Sequence, residues 1–214
     1  MKKLLFAVCA LAAISLLAPN AGFAQDPDPN VWDNRIGVYT SADAASASLA
    51  SMAPFSQFDI YMVLSNPRRS DGSAATVVNG FECTVSFTGP SYFILSTTLA
   101  GAGGLDIDSA PNGYAVGWAD PGLPVVNGLV HLLTWQIMLQ GAANSSTPFQ
   151  IFMGPATAPS VPGGYMAINV PDSETLLRPC LPSSGDFAEA VYAIGLTPVA
   201  VENSSFGAVK ALFR

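Results

Sequence analysis

Residues 58–65 read FDIYMVLS and residues 81–88 read FECTVSFT, and apolar and polar side chains alternate in both segments. A period of two predicts half-buried strands, because successive side chains leave a pleated backbone on opposite sides. Between them, residues 66–73 read NPRRSDGS, a run of turn formers and charges that continues neither strand. The whole stretch predicts an antiparallel strand pair whose apolar face is covered by a second layer.

Seven further segments have the composition of short strands. They are separated by Gly, Pro, Asn and Asp turns, and no stretch alternates strands with long helices, which argues against a parallel α/β fold. The prediction is an all-β fold, a single antiparallel two-sheet sandwich, for example a jelly roll, with about nine strands and a short C-terminal tail. The seven segments are residues 35–40, 92–99, 114–119, 129–140, 149–153, 165–170 and 188–194.

The beginning of the chain has the pattern of a secretory signal peptide. Lys2 and Lys3 precede an apolar run over residues 4–18, and small residues follow up to Ala24. The alternative, a membrane anchor, is disfavoured because a spanning helix needs roughly 20 apolar residues. The sequence therefore predicts cleavage after Ala24 and a secreted or cell-surface protein that does not span the membrane.

The predicted organisation divides the chain into four parts. A signal peptide at 1–24 is followed by a mobile, Pro-rich segment at 25–33, a β-sandwich domain at 34–195 and a tail at 196–214. The end of the tail fits a short amphipathic helix, which is too short to be stable alone. It is interpreted either as packed on its own domain or as a sorting tag or docking element. One face of that helix would carry Phe206, Val209, Leu212 and Phe213, with Lys210 and Arg214 near its end.

The charge of the chain excludes one class of partner. The formal net charge is −7, and loss of Lys2 and Lys3 with the signal peptide makes it −9. Beyond Arg68 and Arg69 the chain has no basic cluster to neutralise phosphates, so a nucleic-acid partner is not expected.

Two cysteines, Cys83 and Cys180, remain after the predicted cleavage. In an oxidising compartment an even number of cysteines favours a disulfide, so a Cys83–Cys180 bridge is predicted. The alternative is a buried free Cys83 and an unrelated Cys180 in a loop-like Arg-Pro-Cys-Leu-Pro segment, because a sequence does not reveal the bridge geometry.

The sequence contains no recognisable catalytic constellation, and neither catalytic residues nor a cofactor is predicted. Its single histidine, His131, is predicted on a strand face with Leu133 and Trp135, as a hydrogen-bonded core or rim residue rather than a catalyst. No Gly-x-Ser-x-Gly elbow or phosphate-binding glycine loop accompanies it. Asp106 and Asp108 are interpreted as solvated loop acids, with a Ca²⁺ site as the weaker alternative because the calcium-loop spacing is missing.

Five aromatic residues are candidates for stacking on sugar rings, since flat exposed rings supply contact area at low entropic cost. Packing in the sandwich or at its rim is the favoured interpretation for most of them. They are Tyr61, Tyr114, Trp118, Tyr165 and Tyr192, and no binding residue is assigned among them.

The order of the segments resembles cohesin-like sandwiches and the related carbohydrate-binding modules over about residues 34–155. The segments that carry the resemblance are IYMVLSNP at 60–67, VNGFECTVSF at 78–87, YAVGW at 114–118, and 128–139 followed by 149–153. The resemblance implies a cohesin-like sandwich and a class of role, secreted non-catalytic binding or scaffolding, with a glycan or an extracellular protein as partner. It transfers no individual residue, because a fold does not establish a function.

Two hypotheses of other classes stay open. The chain is alternatively a structural subunit of a surface filament or layer, which docks on its neighbour through the tail Leu196–Arg214. A hydrolase is the third possibility, although the scattered carboxylates single out no catalytic pair.

Overall fold

The computed structural model describes residues 33–171 and 177–196, and within these ranges the chain forms strands and no helix. The predicted signal peptide, residues 25–32 and the tail from residue 197 lie outside the described residues. No helix in the described ranges is long and apolar enough to cross a membrane. The strands are β1 (Arg35–Tyr39), β2 (Ser48–Leu49), β3 (Gln57–Ser65), β4 (Val77–Val78), β5 (Gly80–Thr88), β6 (Tyr92–Leu99), β7 (Gly104–Asp106), β8 (Gly113–Trp118), β9 (Leu123–Pro124), β10 (Leu129–Leu139), β11 (Phe149–Gly154), β12 (Met166–Asn169), β13 (Leu177–Pro182) and β14 (Tyr192–Ile194).

The all-β class is confirmed, and each of the nine predicted segments contains a strand. The predicted number of strands was wrong, because the described residues contain 14. The strands that the sequence did not predict are β2, β4, β7, β9 and β13. Four of these have only two or three residues, too few to show an alternation.

The predicted arrangement of two separate antiparallel sheets was also wrong. Twelve strands form one hydrogen-bonded sheet along the path β2-β14-β11-β5-β12-β13-β1-β3-β10-β6, with β8 beside β5 and β7 beside β8. β4 and β9 form a separate pair. The sheet is mixed, because β1 runs parallel to β13 and β14 runs parallel to β2.

Strand β13 joins the two halves of the sheet. It pairs with β12 on one side and with β1 on the other. The sequence predicted a loop here because proline has no N–H to donate to a neighbouring strand. Residues on either side of Pro182 supply the donors to β1 instead: Leu181 N–H donates to Asn34 O at 3.1 Å and Ser183 N–H to Ile36 O at 2.8 Å.

The predicted pairing of the two segments in the opening stretch is wrong. β3 pairs with β1 and β10, whereas β5 pairs with β8, β11 and β12. Residues 66–73 therefore do not close a hairpin, and the chain passes from one half of the sheet to the other. The predicted apolar faces are nevertheless correct: Ile60, Met62 and Leu64 of β3 and Phe81, Cys83 and Val85 of β5 are all buried.

The two halves pack face to face on a common core. Trp135 of β10 is fully buried, and its ring lies 6.0 Å from the ring of Phe87 on β5 and 5.9 Å from that of Tyr114 on β8. Its indole N–H donates a hydrogen bond of 2.8 Å to the Tyr114 hydroxyl. Since β10 pairs with neither β5 nor β8, these are contacts between layers, and β5 is part of the layer that covers β3 and β10.

The predicted disulfide between Cys83 and Cys180 is absent from the structure, where both cysteines are free and buried. β12 lies between their strands: it pairs with β5 at Ala167↔Glu82 and with β13 at Met166↔Cys180. Two strand spacings amount to roughly 9–10 Å, whereas bridged cysteines have Cα atoms roughly 4.4–6.8 Å apart. The compartment argument could not reveal the intervening strand.

We expect that unfolding exposes two reactive thiols and that no reductant is needed. Burial raises the pKa of both Cys83 and Cys180, so in the folded protein neither forms a thiolate readily. The sample is the chain from Gln25 onward, which contains only Cys83 and Cys180. Titration with a thiol reagent should give essentially no reaction under native conditions and two equivalents per chain in denaturant. Two equivalents that appear only after reduction would mean that the cysteines are bridged.

Candidate docking surface

His131 is a hydrogen-bonded rim residue, as predicted, but it lies on the opposite face from the one expected. The register between β10 and β3 shifts between His131, which pairs with Val63, and Leu133, which pairs with Met62. Leu132 is the extra residue of this bulge, so side chains before it are turned over relative to those after it. His131 Nε2 therefore lies 2.9 Å from Thr134 Oγ1, and its ring lies 5.5 Å from the ring of Tyr61.

We expect His131 to make the fold less stable in mild acid. Burial lowers the pKa of His131 below its ordinary value of about 6.5. The unfolded chain then takes up a proton more readily than the folded one, so stability falls as the pH drops below about 6.5 and is unaffected by this group above it. Urea unfolding of the parent and His131→Gln between pH 7.5 and 5 isolates the effect, because the chain has one histidine. Parallel stability curves would contradict the assignment.

Asp106 and Asp108 act as structural hydrogen-bond acceptors in the β7–β8 connection. Asp106 Oδ1 accepts the N–H groups of Asp108 and Ala115, each at 3.1 Å, and Asp108 Oδ1 accepts the N–H of Ala110 at 2.8 Å. Among the described residues no group of three or more potential metal ligands occurs. The sequence suggested that these carboxylates are only solvated, whereas in the structure they also order the connection through hydrogen bonds.

Most of the candidate sugar-stacking rings are core residues. Tyr114 and Trp118 are each 6 % exposed and Tyr192 is fully buried, which confirms the favoured interpretation for these three. Tyr61 and Tyr165 are half-buried, and they lie far apart along the sheet, Tyr61 on β3 and Tyr165 directly before β12. These five residues therefore do not form one exposed aromatic platform.

The outer surface of β8, the side turned away from the core, is nearly free of side chains. Tyr114, Val116 and Trp118 of this strand point into the core, so Ala115 and Gly117 face outward. A Cβ atom added to Gly117 would meet only the backbone oxygen of Asn79, at 3.9 Å, which means that the space above Gly117 is open. Ala115 and Gly117 thus form the floor of a shallow trough.

One wall of this trough is aliphatic. Leu105 of β7 pairs with Gly117, and Ile107 donates its N–H to Ala115 O at 3.0 Å. The Leu105 side chain is 65 % exposed and that of Ile107 is 76 % exposed. Two large aliphatic side chains therefore stand in solvent beside a floor of small residues.

The opposite wall is the loop between β11 and β12, which lies over the outer surface of β5. Glu82 of β5 is 7 % exposed, and its two carboxylate oxygens accept the backbone N–H and the hydroxyl of Ser160, both at 2.6 Å. Thr84 Oγ1 donates to Pro155 O at 2.9 Å. Ala156 and Val161 of the same loop are buried, so it is packed down on the sheet. The floor and these two walls are called the docking trough below.

The sequence analysis missed the docking trough. Asp106 and Asp108 were interpreted as solvated acids of a polar loop over residues 105–112. The signal was the alternation of Leu105 and Ile107 with Asp106 and Asp108, which over four residues is too short to distinguish a strand from a loop. The position of Leu105 and Ile107 beside Ala115 and Gly117 follows only from the pairing of β7 with β8.

A second depression lies at one end of the molecule. Its lining residues are small or apolar apart from one threonine, and they include no acid, base or cysteine. They are Gly89, Pro90, Gly141, Ala142, Thr147 and Pro148. The Thr147 hydroxyl is already donated to Ala142 O at 3.0 Å, so this depression supplies no catalytic group.

Fold and trough together define an all-β module with a candidate docking surface. No family model matches the chain, and no curated protein matches it. Two solved structures to which it is similar are cohesin modules, the kind of sandwich that the order of its segments resembles. One belongs to a family 33 glycoside hydrolase of Clostridium perfringens, with 8 % identity and a TM-score of 0.41, covering 69 % of this chain and 90 % of that chain. The other is the sixth cohesin of scaffoldin B from Acetivibrio cellulolyticus in complex with a mutant Cel5 dockerin, with 11 % identity and a TM-score of 0.38, covering 76 % of this chain and 98 % of that chain. Similarities at this level carry no conclusion about function.

Proposed function

We propose that the protein is a non-catalytic module that binds another protein through the docking trough. The observation that carries the proposal is the exposure of Leu105, 65 %, on the paired strand β7 and of Ile107, 76 %, which directly follows β7 and is hydrogen-bonded to β8. When a partner covers large aliphatic side chains that stand in water, the free energy of the complex falls by roughly 25 cal/mol for each Å² of apolar surface buried. A rigid sheet loses little conformational entropy when it binds.

The shape of the trough indicates the chemistry of its partner. The floor at Ala115 and Gly117 lets a partner backbone or side chain approach the sheet closely, and the wall at Leu105 and Ile107 offers only aliphatic carbon. A protein segment with apolar side chains at its centre fits this surface. A glycan fits it less well, because sugar binding relies on exposed rings and hydrogen-bonding groups, and three of the five candidate rings are in the core.

The proposal is tested by crosslinking in the cells that naturally produce the protein. A photoreactive residue at position 109, beside the trough, should crosslink to a protein, and Leu105→Ser with Ile107→Ser should reduce the yield at least ten-fold. Val126→Ser is the matched control, because Val126 is also an exposed aliphatic residue, at 61 %, outside the trough. A yield that the trough variants leave unchanged would overturn the assignment. Glycan-array binding that depends on Ile107 would replace the protein partner by a sugar.

The non-catalytic part of the proposal has its own test. A broad panel of polysaccharides and esters should show no turnover above that of a heat-unfolded sample. Turnover that co-purifies with the folded protein would reject the proposal in favour of the hydrolase.

Secretion is also part of the proposal, supported by the basic start at Lys2 and Lys3 and the apolar run that follows. We expect the protein isolated from its natural source to begin at Gln25 and to be found outside the cytoplasm. Amino-terminal sequencing checks this, and an intact Met1 on the natural protein would contradict it.

The alternative function is a structural subunit of a surface filament or layer. The observation that favours it is a second exposed apolar surface, close to the point where the described chain ends at Leu196. If the alternative holds, removal of the residues after Gly195 abolishes assembly and leaves the fold intact. An unchanged oligomeric state would reject it.

A further inference from the structure

The second exposed apolar surface lies at one end of the outer face of β3, β10 and β6. Phe55 is 71 % exposed, Phe93 is 49 % exposed, and Leu95, at the shift in register between β6 and β10, is 43 % exposed. Met138 is half-buried and pairs directly with Phe93, and the Phe55 N–H donates to Leu139 O at 2.7 Å. These four residues, Phe55, Phe93, Leu95 and Met138, are called the end patch.

Phe55 is exposed at a conformational cost. Its φ is 59°, in the left-handed region that glycine and asparagine adopt readily and that bulky residues avoid. In the described part of the chain the strain is not offset by burial, because most of the ring is in solvent. A strained and exposed aromatic residue points to a contact made outside the described residues.

The described chain ends close to the end patch. Gly195 lies against Asn144, because a Cβ atom added to it would be 2.2 Å from the Asn144 carbonyl carbon. The residue before Asn144, Ala143, exchanges backbone hydrogen bonds of 2.8 and 3.0 Å with Met52, which lies three residues before Phe55. One strand spacing, four residue steps and the contact between Gly195 and Asn144 add up to at most roughly 22 Å, so the tail starts within this distance of Phe55.

We propose that residues 203–214 of this chain occupy the end patch. The sequence places Phe206, Val209, Leu212 and Phe213 at helical spacing, an apolar stripe that needs a surface to pack on. The ten residue steps from Leu196 to Phe206 span up to about 33 Å, more than the distance required.

Charge is complementary at the same place. Asp59 is exposed on the outer face of β3 and pairs with Gln136 of β10, which lies two residues before Met138 on the same face. The occupying segment carries Lys210 and Arg214. A cationic segment beside this carboxylate is favoured, and the attraction weakens as salt is added. Docking through the end patch is independent of the docking trough, which lies in the other half of the sheet.

The experiment is amide hydrogen exchange on the chain from Gln25 onward. The amides of 203–214 should exchange at least ten-fold more slowly than in a free peptide of the same sequence. Phe55→Asn combined with Leu95→Ser should remove this protection. Asparagine tolerates the left-handed backbone at position 55 and Leu95 is exposed, so the double variant should keep the far-ultraviolet circular dichroism spectrum of the parent, and loss of protection would not reflect unfolding. Val126→Asn is the matched control at an exposed aliphatic residue outside the patch.

Exchange of 203–214 at the peptide rate in the parent would overturn the proposal, and so would protection that survives the patch variant. Light scattering over a dilution series separates the two supporting outcomes. A monomer that keeps its protection has its tail on its own patch. Protection that is lost together with oligomers on dilution shows a tail bound to a second copy.

Discussion

Trp135→Ala should cost about 3–5 kcal/mol of the free energy of unfolding, the range measured for large aromatic residues removed from cores. Trp135 is fully buried and contacts the opposite layer through Phe87 and Tyr114. The substitution leaves a cavity between the two halves of the sheet, and it also removes the donor to the Tyr114 hydroxyl. Because a domain of this size is stable by roughly 5–15 kcal/mol, such a loss is a large part of the total.

Urea unfolding, followed by far-ultraviolet circular dichroism, measures this loss. Trp135→Phe should cost less than Trp135→Ala, because it keeps a ring in the core and gives up only the indole N–H and part of the volume. Ile151→Val serves as the control for an ordinary core methyl group, with an expected cost of about 0.5–1.5 kcal/mol. If Trp135→Ala cost no more than Ile151→Val, the two layers would not depend on this residue.

Glu82→Ala has the second largest expected effect, a loss of about 2–4 kcal/mol. The buried carboxylate accepts two hydrogen bonds from Ser160. Bonds to charged groups contribute roughly 1.5–3 kcal/mol each, and these two contribute less because Ser160 is exposed to water. The substitution also leaves the Ser160 N–H, which now donates to Glu82, without its acceptor. The loop that forms one wall of the docking trough should then detach from β5.

Two comparisons separate the parts of this effect. Ser160→Ala keeps the backbone N–H bond and loses only the hydroxyl, so it should cost about 1 kcal/mol. Limited proteolysis within residues 155–164 should become faster in Glu82→Ala than in Ser160→Ala, because only the former frees the loop backbone. Equal cleavage rates in the two variants and the parent would show that other contacts hold this loop.

The sequence by itself determined the fold class and the residues that face the core. A period of two specifies which side of a strand is apolar, and this information is local, so Ile60, Met62, Phe81 and Cys83 were placed correctly. Alternation also located nine strands to within a few residues, because each is long enough to show the pattern or is bounded by turn residues.

The tertiary structure alone decided which strands are neighbours. Alternation does not specify a partner, so β3 and β5 were predicted as a pair, although they lie in opposite layers of the core. It also decided the orientation of His131, since one extra residue at Leu132 reverses the side chains that precede it. The docking trough and the end patch arise in the same way: Leu105 lies beside Gly117, and Phe93 beside Met138, because of pairing between strands distant in sequence. Such pairings depend on how the entire apolar surface is buried, and a local pattern of residues does not determine which distant strands become neighbours.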